Sequence, residues 1–263
     1  MVTLLLTFLG HGLADFIFQS DGIVKKKSNF QWDGFLIHGL ITFFILILLL
    51  HWLEFPSALL YAATITVLHI LLDFCKCLMT SSGNPRLDLS GFLLDQLGHG
   101  LIIFGTWQFF NLEPNPRLTA FYWSLLQPKT LAAFAHSMDI KPQWTSSEAI
   151  LLITSYIYVC CGGTFLVRKF LNCLNYSTEH DHLGSKFQSG TYIGILERLL
   201  IMIFVQSNTL PSVVFILTAK SIARFNELSE KNFAEYYLVG TLYSTALAIC
   251  GGYLLNFFQS IIH

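Results

Sequence analysis

The sequence predicts an all-α integral membrane protein, a polytopic bundle of about eight transmembrane helices with both termini outside. Hydrophobic residues make up 54% of its 263 residues and charged residues only 12%, about half the share of a soluble domain. Apolar runs of spanning length recur along the chain, and Lys and Arg are concentrated in alternate connections. The net charge of −1 gives no case for nucleic-acid binding.

The predicted spans follow from the length of each apolar run, since a helix needs about 20 mostly apolar residues to cross the hydrocarbon core. The first and seventh runs are short, so we expect them to tilt little or to be re-entrant. The first lacks a small-residue cleavage site and is predicted to be a retained helix. In chain order the spans are Val2–Phe18, Phe35–Leu53, Ser57–Leu78, Ser90–Phe110, Glu148–Phe170, Gly190–Gln206, Leu210–Phe225 and Phe233–Phe258.

The orientation follows from the distribution of Lys and Arg, which are retained on the cytoplasmic side of a membrane. With the N-terminus outside, the outer connections hold only Arg117, Lys129 and Lys141, and Arg198 lies inside a span. The inner side then holds the remaining basic residues, namely Lys25, Lys26, Lys27, Lys76, Arg86, Arg168, Lys169, Lys186, Lys220, Arg224 and Lys231.

A long connection over residues 111–147 divides the predicted spans into two groups of four. It contains several prolines and the aromatic stretch Phe121-Tyr122-Trp123, so we expect an outer cap with short interfacial helices. The sequence therefore predicts a His/Asp-rich membrane module at 1–110, an extracytoplasmic loop at 111–147 and a C-terminal membrane module at 148–263.

Histidine and aspartate stand four residues apart in three of the predicted spans, and a further histidine begins another span. This spacing places both members of a pair on one helix face. Ionisable groups inside a membrane cost about 2.5–3.5 kcal/mol each on insertion scales and by default mark a functional site. The predicted orientation puts them all in the cytoplasmic half of the bilayer. They are His11 and Asp15, His69 and Asp73, Asp95 and His99, and His38.

Imidazoles and carboxylates without thiolates suit Zn first, with Mn or Fe as alternatives. The alternative without a metal is that the carboxylates accept hydrogen bonds from the histidines and lock the helices together. Asp15, Asp73, Asp95 and Lys76 are also predicted to have catalytic roles. The carboxylates would be ligands or orient the histidines, with one of them as general base, and Lys76 would be a phosphate ligand or an interfacial anchor. The predicted metal ligands are His11, His38, His69, His99, Asp15, Asp73 and Asp95.

Other polar residues in or near the spans are candidates for binding an anionic substrate, because Arg and Lys pair with phosphate and carboxylate groups. The structural alternatives are helix–helix hydrogen bonds and a neutral ensemble such as Glu197 with Arg224. The candidates are Gln19, Gln96, Glu197, Arg198, Lys220 and Arg224.

The chain resembles an uncharacterised bacterial inner-membrane family, a domain of unknown function. The resemblance implies a multi-pass protein of the bacterial inner membrane and supplies no activity. It is carried by H-x3-D-F-x2-Q at His11–Gln19, H-x3-D-x2-K at His69–Lys76, D-Q-x2-H at Asp95–His99, and by Gly194–Arg198, Ala219–Phe225 and Gly240–Thr241 in the C-terminal half.

Three functions agree with these patterns. The first is a metal-dependent hydrolase that acts on a lipid or a lipid-linked, phosphorylated substrate at the cytoplasmic leaflet, with His11, His69 and His99 as the leading ligands and His38 next. The second is a transporter or channel for protons or divalent metal ions, although the outer half of the predicted bundle is nearly bare of polar groups. The third is a membrane sensor or scaffold subunit that binds a nucleotide or a partner on its cytoplasmic face.

Overall fold

A computed structural model describes residues 1–126, 146–174 and 184–262. Over these residues the chain is helical, and its β-type pairing is an isolated bridge between Leu53 and Pro114. The predicted loop at 111–147 is described only in part: residues 111–126 are included, as far as a helix that ends at Leu126, and so are residues 146 and 147. The helices are α1 (Val2–Phe16), α2 (Asp21–Ser28), α3 (Trp32–Leu50), α4 (Phe55–Thr80), α5 (Pro85–Trp107), α6 (Pro116–Leu126), α7 (Ser146–Tyr156), a π-helical turn (Ile157–Gly162), α8 (Gly163–Cys173), α9 (Gly184–Gln206), α10 (Val213–Ala223) and α11 (Lys231–Ile262), with 3-10 turns at Leu210–Ser212 and Glu227–Ser229.

The prediction of a helical chain with apolar helices of membrane-spanning length is confirmed over the described residues. Within the described ranges, five helical stretches are long and apolar enough to cross a membrane. A sixth is possible if α1 and α2, which meet at 84°, form one broken span. The predicted count of eight spans is larger than the number of such helices among the described residues. The five are Trp32–Leu50, Phe55–Thr80, Pro85–Trp107, Ser147–Cys173 and Lys231–Ile262.

The first predicted span, Val2–Phe18, forms one helix that ends two residues early. α1 ends at Phe16, and the backbone is extended at Ser20 before α2 begins at Asp21. Asp21 favours a new helix N-terminus at this point, because a negative charge stabilises the first turn. The polar composition of α2, with three consecutive lysines, accounts for its departure from the axis of the apolar helix α1.

The chain forms two compact units, each with its own interior. The first comprises Met1–Leu78 and Leu94–Leu151, and the second comprises Met79–Leu93 and Leu152–His263. In the first unit, α1 packs against α3, and an apolar cluster that includes Leu46, Tyr61 and Ile103 fills the space between the helices. The predicted three-part division of the chain stays a prediction.

Glycines stand next to three of the four histidines that are predicted metal ligands, and they allow the helices to approach closely. A Cβ atom at Gly10 of α1 would lie 2.9 Å from Cδ2 of Leu46 on α3, and one at Gly39 of α3 would collide with Ile70 on α4. A Cβ atom at Gly98 of α5 would lie 3.1 Å from Leu72 on α4. These contacts bring the neighbouring histidines together.

The seating of α2 on α3 depends on Gly34. A Cβ atom at this position would lie 2.7 Å from Cβ of Lys26 and 3.0 Å from the backbone nitrogen of Lys27. Gly34→Ala should therefore push α2 away at a cost of about 1–3 kcal/mol, because backbone atoms cannot yield as a side-chain tip can. Faster amide hydrogen exchange over residues 21–28 would report the displacement.

Gly22→Ala is the matched control for this prediction, because a Cβ atom at Gly22 would approach only Oγ of Ser20, at 3.8 Å. We expect this change to leave α2 seated, since alanine also has the higher helix propensity. Equal exchange rates over residues 21–28 in the two variants would contradict the packing argument.

Candidate metal centre

The seven predicted histidine and aspartate residues all lie buried in the first unit. None of them is more than 7% exposed to solvent. α1 and α4 each supply an H-x3-D pair, α5 supplies the reversed D-x3-H pair, and α3 supplies a single histidine. The structure therefore brings together His11, Asp15, His38, His69, Asp73, Asp95 and His99 in one cluster.

The tightest part of the cluster joins α1, α3 and α4. Nε2 of His38 lies 2.8 Å from Nε2 of His69, and Oδ1 of Asp15 lies 3.2 Å from the first nitrogen and 3.3 Å from the second. Ligand atoms about 2.0–2.1 Å from a tetrahedral Zn²⁺ ion are about 3.3 Å apart. The two distances to Oδ1 of Asp15 therefore match edges of a coordination tetrahedron, whereas the 2.8 Å between the two imidazole nitrogens is a hydrogen-bond distance. The three residues form a group that could hold a metal ion.

Hydrogen bonding leaves part of this cluster unsatisfied. Despite its short distances to two imidazoles, Oδ1 of Asp15 accepts no hydrogen bond of good geometry from the described residues, and the same holds for Oδ1 of Asp95. A buried carboxylate oxygen without a donor is costly and calls for a cation or an ordered water molecule.

Two further groups of side chains could hold a metal ion, and both share residues with the first. His11, His69 and His99 converge, with ring centroids 4.2–5.2 Å apart, as the sequence predicted. Their rings line a cavity of about 10 Å³, bounded by apolar side chains such as Leu46 and Ile65, which has room for about one water molecule. The third group combines Asp15, Asp95 and His99.

Two lysines neutralise carboxylates at the edge of the cluster. Nζ of Lys76 lies 2.8 Å from Oδ2 of Asp95, so this predicted site residue takes part in the cluster through an ion pair. Nζ of Lys27 lies 2.6 Å from Oδ2 of Asp73, and Lys27 is only 5% exposed.

Lys27 is not predicted from the sequence as a site residue, because the run of three lysines is interpreted there only as a mark of the cytoplasmic side. Successive residues on a helix point about 100° apart, so three consecutive lysines cannot all face away from the helix on which their own helix packs. This step of about 100° is the feature of the sequence that indicates a buried lysine. In the structure Lys27 faces inward, whereas Lys25 is exposed and Lys26 is partly exposed.

The two predicted glutamines have different surroundings. Nε2 of Gln96 lies 3.2 Å from Oδ2 of Asp95 and 3.4 Å from Oδ2 of Asp15, so this side chain links α5 to α1. Gln19 lies in the break after α1, and its buried Nε2 donates to none of the described residues.

The predicted substrate residues of the C-terminal half lie in the second unit. Lys220 pairs with Glu197 at 2.7 Å, and Arg224 pairs with Glu227 at 2.5 Å. The observed pairs differ from the Glu197–Arg224 ensemble that the sequence suggested.

Arg198 is buried and donates to neutral oxygens. Its guanidinium lies 2.7 and 3.3 Å from the carbonyl oxygen of Cys160, 2.9 Å from Oγ of Ser244, and also contacts the hydroxyl of Thr164. Cys160 belongs to the π-helical turn, where the altered hydrogen-bond register makes a carbonyl accessible to an outside donor. Arg198 thus links α9 to α8 and α11, and its role toward a substrate stays a prediction.

Residues 2–126 match the model of a family described as protein of unknown function (DUF3307). No curated protein and no solved structure matches the chain significantly. The matched region includes all four helices that supply the His/Asp cluster and the helix that carries Lys27. The resemblance predicted from the motifs is thereby confirmed over these residues, where the chain matches the DUF3307 family, whose function is unknown.

Proposed function

We propose that the His/Asp cluster binds one divalent metal ion and that the protein is a membrane-embedded, metal-dependent hydrolase. The observation that carries this proposal is the triangle formed by Oδ1 of Asp15 and the Nε2 atoms of His38 and His69, with sides of 2.8, 3.2 and 3.3 Å. Two imidazoles and one carboxylate leave the fourth position of a Zn²⁺ ion to water, as in catalytic sites. Zn suits the set best, and Mn or Fe are alternatives.

The charges of the cluster support a single metal ion with a bound hydroxide. Three carboxylates and two ammonium groups, in ion pairs of 2.6 and 2.8 Å, leave one net negative charge when the imidazoles are neutral. A divalent ion would bring this to one positive charge, and a hydroxide on that ion would bring it to zero. Neutrality matters because an uncompensated charge is costly in a buried site.

The proposed chemistry is the hydrolysis of an ester or phosphoester. A divalent metal ion held by Asp15, His38 and His69 would polarise the phosphoryl or carbonyl oxygen and would supply the hydroxide that adds to phosphorus or carbon. The bond to the leaving oxygen would then break, and that oxygen would take its proton from the water molecule that replaces the consumed hydroxide. Asp95 is our candidate for relaying this proton, because its Oδ1 accepts no hydrogen bond from the described residues.

The substrate we propose is a lipid or a lipid-linked, phosphorylated compound at the cytoplasmic leaflet of the bacterial inner membrane. The protein that we propose crosses this membrane eight times and has both termini outside. Trp32, at the start of α3, is 76% exposed and stacks on Phe74 at 6.2 Å, which suits a membrane interface. His38 lies six residues further along α3, about 9 Å deeper. This depth suits a headgroup or its first ester bond, and the free amide of Gln19 is a candidate donor to it.

A second function is favoured by the continuity of the polar contacts. They run from Lys76 to Asp95, through Gln96 to Asp15, and on through the paired imidazoles to Asp73 and Lys27. Such a relay would suit a transporter of protons or divalent metal ions. The cluster lies in one layer of the bundle, which favours the hydrolase.

The test begins with the metal content of protein purified in detergent without chelators, expected at about one Zn, Mn or Fe per chain. Vesicles of phosphatidylethanolamine and phosphatidylglycerol, with or without a polyprenyl pyrophosphate, are then assayed for released phosphate or headgroup. We expect release that stops on chelation and is lost in Asp15→Asn. Protein that takes up no metal even when supplied with Zn²⁺ would overturn the proposal. Metal-dependent flux into proteoliposomes without release would instead establish the transporter.

A further inference from the structure

Lys27 reaches the cluster from outside the four helices that build it. It lies on α2, which turns 84° away from α1 and is seated on α3 at Gly34. Its ammonium group is buried against Oδ2 of Asp73 at 2.6 Å, whereas the neighbouring Lys26 pairs with Asp33 at the exposed surface. The buried pair therefore connects an interfacial helix to the proposed metal centre.

Asp73 lies next to the two imidazoles of the tight triangle and is our candidate for a fourth metal ligand. Its Oδ2 lies 3.4 Å from Nε2 of His38 and 3.7 Å from Nε2 of His69, close to the edge of about 3.3 Å expected between ligand atoms on tetrahedral Zn²⁺. This same oxygen is the one that Lys27 binds. An oxygen in a short ion pair with an ammonium group is a poor ligand for a cation, because the two positive charges compete for it.

Resting on the proposed metal centre, we infer that Lys27 is a positioning residue that keeps the fourth coordination position open for water. With Lys27 in place, a divalent ion and one hydroxide make the cluster neutral. Without the ammonium group of Lys27, the charges of the three carboxylates, Lys76 and the metal ion sum to zero. Asp73 can then bind the metal ion as its fourth ligand, and no hydroxide is needed to make the cluster neutral. Closed sites with four protein ligands are structural, and open ones are catalytic. Lys27 thus makes this centre competent for hydrolysis.

The experiment uses the full chain in detergent, loaded with Mn²⁺, with two readouts. Water proton relaxation reports exchangeable water on the metal, and a competition titration reports affinity. Lys27→Met should lose one exchangeable water and bind Mn²⁺ about tenfold more tightly, the scale on which groups behind the ligands tune metal sites. Lys27→Arg keeps the charge and should retain the water.

Two further variants separate this role from general damage to the fold. Lys26→Met removes the adjacent, exposed lysine and should behave as wild type. Asp73→Asn removes the proposed fourth ligand, so the water should persist whether residue 27 is Lys or Met.

The two proposals fail in different ways. If wild-type protein binds Mn²⁺ with exchangeable water and Lys27→Met leaves both the relaxation and the affinity unchanged, the role of Lys27 is overturned and the metal centre stands. If the wild type binds neither Mn²⁺ nor Zn²⁺, the metal centre falls and the role of Lys27 falls with it.

Discussion

Replacing His69 by alanine is expected to remove the bound metal ion, lowering its affinity by at least about a hundredfold. His69 belongs to two of the three groups that could hold a metal ion. Its Nε2 lies 2.8 Å from Nε2 of His38 and 3.3 Å from Oδ1 of Asp15, so both the tight triangle and the histidine trio lose a member. Metal content after gel filtration in detergent measures the effect.

Two comparisons make this result specific. His51→Ala changes an exposed histidine at the end of α3, whose ring contacts the carbonyl oxygen of Leu48, and should leave the metal content unchanged. His11→Ala should cost less metal affinity than His69→Ala, because His11 is absent from the tight triangle. A His69→Ala protein that keeps its full metal content would refute the centre formed by Asp15, His38 and His69.

The membership of the cluster was predictable because it depends on local geometry. Residues four apart share a helix face, and ionisable groups on that face of a membrane helix turn inward. Three pairs with this spacing are therefore expected to meet where their helices are neighbours. His11, His69 and His99 do converge, as the spacing predicted.

The order of importance within the cluster was not predictable in the same way. The sequence ranked His38 behind the other three histidines, yet its Nε2 forms the shortest contact of the tight triangle. Which atoms meet depends on the rotation and crossing of helices, and these depend on contacts such as that of Gly39 with Ile70. Spacing along one helix contains no information about such contacts.

The choice of ionic partners was equally hard to predict. Glu197 pairs with Lys220 on the following helix, 23 residues away, and Asp73 pairs with Lys27, 46 residues away. Lys27 in particular reaches Asp73 only because the chain bends by 84° between α1 and α2. The sequence predicted a short first span, but not the direction in which the chain leaves it.

Asp73→Ala is expected to destabilise the metal-free protein by about 3–5 kcal/mol, because it leaves a buried cation without its partner. Lys27 is 5% exposed and Asp73 is 2% exposed, so water cannot replace the lost carboxylate without local unfolding of α2. Unfolding by titration with a denaturing detergent, in the presence of a chelator, measures the loss without interference from metal binding.

The adjacent lysine supplies the control for this experiment. Lys26 and Asp33 form a pair of 2.5 Å, but their side chains are 43% and 55% exposed, so Asp33→Ala should change stability little. Removing both buried charges in Lys27→Met/Asp73→Ala should recover much of the loss, since no charge is then left unpaired. If Asp73→Ala costs no more than Asp33→Ala, the Lys27–Asp73 pair is solvated, and the argument that Lys27 controls the fourth metal position fails with it.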